Sequence, residues 1–293
     1  MAGTILFMGA NGSSDEDPNT WDLREVISRN PNSHASIHQL DMASLDSVHG
    51  FATELSSATD SGQYPPLKAI VADAFYRDLV GDSELTVDSF DKPIQTSHIS
   101  HVALILRIIR RFSPDAGPIV LLSSVAHFRK KTHLLRPYPD KDKQWRGFQR
   151  YSNAKLLITT WIYPLNRYLS QNPKFQNITA IAANPGGLGD SRCFRTNTPR
   201  SIQFVAKFVL RSLIPVINRL ANPTFRSSVE ASIDMIEYAV NEAHPDERGY
   251  FTLLKNDESD PLTWDLEMQT KVWKKSAEWA RITKENTALA DGL

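Results

Sequence analysis

Tyr151-Ser152-Asn153-Ala154-Lys155 places a phenol and an ammonium four residues apart, on one face of any helix that contains them. A phenol with its ordinary pKa of about 10 is a poor proton carrier at neutral pH. A neighbouring ammonium favours the phenolate, and bringing the phenol near neutrality corresponds to ~4 kcal/mol of differential interaction. The pair is a candidate proton-transfer device, yet an ordinary exposed helix carries the same spacing at no cost. Two further sites flank it in sequence. The apolar run Pro118–Leu122 ends in Ser123-Ser124, and the run Ile178–Ala183 leads into Asn184-Pro185-Gly186-Gly187.

The elements that must position these residues follow from hydropathy. Thr4–Met8, Lys68–Ala72, Pro118–Leu122 and Ile178–Ala183 are continuous apolar runs, the pattern of strands buried on both faces. Ala35–Leu40 reads as a shorter strand ending at Asp41. Between them, helical spacing is predicted over Trp21–Ser28, Leu45–Leu55, most of Ser89–Phe112 and Gly147–Leu169, whereas Asn11–Thr20 reads as loop. Strands alternating with helices of crossover length predict an α/β fold, a doubly wound parallel sheet of Rossmann type in one domain over residues 1–293. Ligands of such sheets sit beyond the carboxyl ends of the strands, so the segments after Met8, Ala72, Leu122 and Ala183 are the ones to watch.

The order of these motifs resembles the short-chain dehydrogenase/reductase superfamily over nearly the whole chain. That family has a serine after its fifth strand, Y-x-x-x-K on the next helix and a P-G turn after the sixth strand. The resemblance implies that Ser124 hydrogen-bonds the substrate oxygen and Tyr151 is the general acid/base. Lys155 would lower the pKa of Tyr151 and bind the nicotinamide ribose. Pro185 and Gly186 would bracket the nicotinamide, and Asp190 or Ser191 would take the place of a common threonine. The implied cofactor is NADP or NAD, with NADPH favoured. The pattern Ser123-Ser124-Val125-Ala126-His127, the insert Arg129–Arg146 and the tail with Gly249-Tyr250-Phe251 and Val272-Trp273 are similar to retinol-dehydrogenase-like and fungal 3-keto-steroid-reductase-like branches. Those relatives act on bulky apolar alcohols and ketones. Residues 196–226 would form the lid over the substrate and residues 245–293 a C-terminal extension. His127 either touches substrate or holds structure.

Departures from the family cluster at the cofactor end. The glycine motif T-G-x-x-x-G-x-G reads Met8-Gly9-Ala10-Asn11-Gly12-Ser13-Ser14-Asp15, leaving Gly9, Asn11 and Gly12 as candidate phosphate contacts beside the acidic run Asp15-Glu16-Asp17. The family N-N-A-G reads Ala72-Asp73-Ala74-Phe75, with Asp73 a further candidate contact, and the relay asparagine aligns with Ser97. Only one helix and one strand fit between Gly12 and Asp41. Either the first Rossmann helix and second strand are missing, or Trp21–Ser28 and Ala35–Leu40 replace them, in which case Asp41 would bind the adenosine ribose.

Composition limits the remaining classes. With 33 basic and 33 acidic residues there is no cationic excess for nucleic acid, and Cys193 alone can form neither an intramolecular disulfide nor a cysteine zinc site. No metal site is expected; His98 and His101, three apart on one helix, read as helix surface or core. No apolar stretch approaches the roughly 20 residues of a spanning helix, and the N-terminus points away from a signal peptide. A cytoplasmic protein is expected, with a hydrophobic small molecule as partner and a homo-oligomer compatible. Ser201–Leu220 reads either as a core-packed helix kinked at Pro215 or as a membrane-surface element. Two functions follow. One is oxidoreduction of a ketone or secondary alcohol on a sterol-, terpenoid- or polyketide-type metabolite. The other is a scaffold with weakened cofactor binding, serving as a redox-neutral isomerase or cyclase or as a non-catalytic subunit.

Overall fold

The computed structural model describes residues 4–8, 18–31, 34–81, 84–115, 117–128, 134–135, 137, 147–191, 194, 197–210, 212–242, 247–289 and 293. Its centre is a six-stranded sheet in the order β1 (Thr4–Met8), β2 (Leu67–Ala72), β3 (Pro118–Leu122), β4 (Thr179–Asn184), β7 (Gly249–Thr252), β8 (Lys255–Asn256). The first five run parallel and β8 returns antiparallel to β7, while β5 (Gly187–Leu188) and β6 (Phe225–Arg226) pair parallel in a separate two-stranded sheet. Their carboxyl ends are in step: Met8 pairs with Ala72, Leu122 with Ala183 and Asn184 with Thr252. A parallel α/β sheet is what the unbroken apolar runs require, because each strand must bury both faces.

Alternate residues of β2, β3 and β4 serve the two faces. Ile70, Ile119, Leu121, Ala180 and Ala182 meet α2 (Leu45–Asp60), α4 (Ser100–Ile108), α5 (Gly147–Gln171) and α9 (Leu266–Trp279). Val71, Val120, Ile181 and Ala183 meet Met235 of α8 (Ser228–Glu237) and Tyr238 and Ala239 just beyond it. α2 starts at Ser44, whose hydroxyl accepts from the Ser47 N–H at 3.3 Å, and buries Leu45, Val48, Phe51 and Leu55 at helical spacing. The helix expected over Ser89–Phe112 is assembled in pieces. α3 (Lys92–Ile94) passes through a π turn at Gln95–Ile99 into α4.

Two expectations need correction. Ala35–Leu40 is not a strand: only Ile37 and Leu40 are even half-buried, and His38 spends its ring on Phe51 and Tyr64 instead of a ladder. Among the described residues nothing pairs with the outer edge of β1, so the sheet begins there, and Asp41 does not end a strand beside β1. Helix α1 (Pro18–Ser28) is present where Trp21–Ser28 was predicted, starting three residues earlier. The second correction concerns Ser201–Leu220. It is two elements, α6 (Arg200–Val205) extended by a π turn to Leu210, and α7 (Ile214–Leu220), set at 83° to each other. Most of their apolar side chains are exposed, so among the described residues this is not a core-packed helix. The chain breaks ahead of Pro215, which occupies the first turn of α7, where a missing N–H is harmless. No single helix among the described residues is long and apolar enough to cross a membrane.

Candidate active site

Ser124 lies just beyond β3, and α5 brings Tyr151 and Lys155 to the same carboxyl edge. Ser123 turns inward, its N–H on the Ala183 carbonyl (2.7 Å) and its hydroxyl against Thr159 (2.6 Å), whereas Ser124 is half-buried. The Ser124 hydroxyl accepts from the Ala126 N–H at 3.2 Å, which leaves its own hydrogen for donation. Lys155 projects from α5 one turn beyond Tyr151. It is 2 % exposed, donates from Nζ to the Leu122 carbonyl at 2.6 Å, and lies 5.7 Å from the Tyr151 ring centroid. Burial pulls its pKa down to about 8, against the pull of Asp73, whose charge favours the ammonium. The Asp73 pKa is pushed upward by desolvation and held back by Lys155, although the residue keeps an exposed side.

The Tyr151 ring is enclosed by side chains for which the sequence offered little signal. Phe75 lies 5.9 Å and Phe148 6.2 Å from it, and the Arg77 guanidinium lies 6.0 Å from its centre and 5.1 Å from Phe194. Phe75, where the family has glycine, also lies 5.2 Å from Lys155 Nζ. The loop that carries these residues is brought to α5 by Gly147. A Cβ at that position would fall 1.6 Å from the Asp78 carbonyl oxygen, so only glycine permits the approach.

Other predicted residues are placed less directly. Ser97 is buried in the π turn, and its hydroxyl accepts from the Tyr76 N–H at 3.3 Å, pinning the loop after β2. His101 serves the same loop, its Nε2 on the Ala74 carbonyl at 2.8 Å, while His98 meets Ser276 at 2.7 Å. Burial lowers their pKa values to about 4 and about 3, so both are neutral core residues. His127 bridges the Ser124 carbonyl (2.6 Å, Nδ1) and the Asp260 N–H (3.1 Å, Nε2), a structural link. The exposed Asp41 spends a carboxylate oxygen on the Ala43 N–H at 2.8 Å. Gly186 has φ +88° and packs so closely on the Thr224 carbonyl that a Cβ would lie 2.2 Å away; the Pro185 carbonyl accepts from Arg226 Nε at 2.8 Å. Asp190 accepts the Ser228 N–H at the start of α8 (2.7 Å) and, with Ser191, Phe194, Gln203 and Lys207, lines a cavity of about 330 Å³. Gly9, Asn11 and Gly12 lie outside the described residues.

A nicotinamide dinucleotide fits this arrangement at one end. A buried ammonium, a phenol and a hydroxyl converge where the nicotinamide ribose and a substrate oxygen would have to be held. The adenosine end has less to meet. Sheet ligands bind where strand order reverses, and the described order runs from β1 to β7 without a reversal.

Lys155 makes a testable link between pH and stability. An unfolded lysine titrates at 10.5 and Lys155 in the fold at about 8, so between those values the unfolded chain holds more protons and stability rises with pH. Below pH 8 the full cost of burying the charge, of order 3 kcal/mol, is present. Urea unfolding of the wild type and of Lys155→Met should therefore show the wild type gaining stability relative to the variant by about that amount from pH 8 to 10.5. Parallel curves would refute the buried cation.

Comparisons with known proteins bear on the family and the fold. A family model described as the AcuH dehydrogenase domain matches residues 192–289. Dehydrogenase acuH of Aspergillus aculeatus is 41% identical over 97 residues, which are 33% of this chain and 98% of that protein. Short-chain dehydrogenase iccH of Talaromyces variabilis is 25% identical over 297 residues, covering 85% of this chain and 80% of that one. A short-chain dehydrogenase from Burkholderia cenocepacia, solved in complex with NADP, superposes with TM-score 0.58 at 17% identity over 85% of each chain. A short-chain dehydrogenase/reductase from Serratia marcescens gives 0.54 at 13% identity, over 85% of this chain and 86% of that one. At these identities the structural likeness is one of fold.

Proposed function

The chain belongs to the short-chain dehydrogenase/reductase superfamily of enzymes, and on that premise we propose that it interconverts a ketone and a secondary alcohol on a bulky hydrophobic metabolite with NAD(P). The observation that carries this reading is the convergence of Ser124, Tyr151 and the buried Lys155 at the carboxyl edge of β3. A bound nicotinamide supplies or accepts the hydride. Ser124 Oγ donates to the substrate oxygen and orients it. Tyr151 moves the proton at that oxygen, and the Lys155 ammonium, 5.7 Å from the ring centroid, would share the charge left on the phenol. Lys155 would also hold the nicotinamide ribose, and the Gly186 turn with Ser191 would border the nicotinamide.

An apolar substrate is supported by the surroundings of Ser124 and Tyr151. Val125 and Phe128 beside Ser124, and Phe148 beside Tyr151, are exposed apolar side chains that a hydrophobic ligand would cover. The lid gives different support from that expected, because the side it turns to the cavity carries Gln203, Ala206 and Lys207, with its aromatic residues outside.

A second reading is favoured by one observation, the sheet edge at β1. It makes the chain a scaffold with weakened cofactor binding, acting without net redox change or as a partner subunit. Titration of the full chain with NADPH and NADH, followed by nicotinamide fluorescence, separates the two. Saturable binding of either supports the oxidoreductase, and no binding of a folded chain to both overturns it.

A further inference from the structure

Among the described residues, nothing covers many of the apolar side chains of Arg200–Leu220. Phe204, Phe208, Val209, Leu213, Val216 and Leu220 are between 40 and 78% exposed. The rings of Phe204 and Phe208 pair at 4.7 Å, an exposed apolar pair of the kind that marks interaction sites, and the other side chains extend the exposed apolar surface along both elements. Arg200, Lys207 and Arg219 are exposed along the same elements, and Lys207 Nζ lies over the Phe208 ring at 5.2 Å.

Charge identifies the occupant. The chain as a whole is balanced at 33 basic and 33 acidic residues, yet between Asp190 and Glu230 there is no acidic residue and there are seven arginines and lysines. An isologous pairing with a second copy would set these cations against themselves. Aromatic and aliphatic side chains flanked by cations suit the interface of an anionic bilayer, where rings sit at headgroup depth and lysines reach the phosphates. The two helices, 11 and seven residues long and bent by 83°, are too short to span ~30 Å of hydrocarbon but can lie in its surface.

We propose that the Arg200–Leu220 elbow is a membrane-surface anchor that seats this chain on anionic lipid. The assignment stands independently of the redox reading. It is tested by co-sedimentation of the full chain with phosphatidylcholine vesicles, with and without about 30 % phosphatidylserine, and by its mass in solution without lipid. The expected result is binding to the phosphatidylserine vesicles, weakened as salt rises. Phe204→Ser with Phe208→Ser should lower it about tenfold or more. Arg200→Gln and Arg219→Gln should each lower it about fivefold. All these side chains are exposed, so the thermal transition of each variant should match the wild type. The proposal is overturned if the wild type ignores phosphatidylserine, or if the serine variants bind as well as the wild type. It is equally overturned if the patch instead holds a dimer that those variants dissociate and that binds no vesicle.

Discussion

Tyr151→Phe should lower kcat/KM for ketone reduction by about 10²–10⁴-fold, the usual contribution of a positioned proton donor. The substitution removes one oxygen and leaves the ring among Phe75, Phe148 and Arg77. Packing is thus conserved, and neither the thermal transition nor nicotinamide binding should change. The loss should fall on kcat as well as on kcat/KM, because the proton moves only in the transition state. Steady-state rates, with cofactor affinity measured separately, check both parts. Hydride transfer retained at the wild-type rate would remove Tyr151 from the mechanism and leave the cluster a packing feature. Ser124→Ala offers a graded comparison, since it removes one hydrogen bond to the substrate oxygen and leaves the proton carrier in place.

The convergence of these three residues was legible because two strong local signals are independent of tertiary detail. A continuous apolar run must be a buried strand, so Pro118–Leu122 ends where ligands bind, and four-residue spacing on a long helical pattern puts Tyr151 and Lys155 together. The limits were equally physical. Arg77 and Phe75 reach Tyr151 from an irregular loop whose course depends on the approach permitted by Gly147, which no periodicity records. Ser97 aligned with a catalytic position, but a π turn aims its hydroxyl at the Tyr76 amide. Ala35–Leu40 has enough apolar character for a strand, yet a strand exists only if a neighbour accepts it, and sequence pattern does not report the neighbour. The elbow at Arg200–Leu220 is the same problem reversed. Its composition suits a core, and only the tertiary structure shows that among the described residues most of its apolar side chains are left exposed.

Trp273→Ala should cost about 3–5 kcal/mol of stability and lower Tm by roughly 10 °C. The Trp273 indole is 1% exposed, stacked at 5.7 Å and 15° on Trp161, with Tyr168 4.8 Å away on its other contact. Trp161 and Tyr168 belong to α5, so the C-terminal α9 is bound to the helix that carries Tyr151 and Lys155. Removing the indole leaves a cavity against the rear of that helix, which rigid neighbouring rings cannot close. Trp273→Phe keeps a ring in the stack and should lose markedly less. The damage is also separated from chemistry by distance. Trp161 stands ten residues from Tyr151, about 15 Å along the axis, so below its transition the alanine variant should retain kcat within a few-fold. Denaturant curves alongside rates at low temperature distinguish the cases. A kcat that falls as far as in Tyr151→Phe, in a chain still folded, would mean that α9 sets the position of the catalytic pair as well as the stability of the helix beneath it.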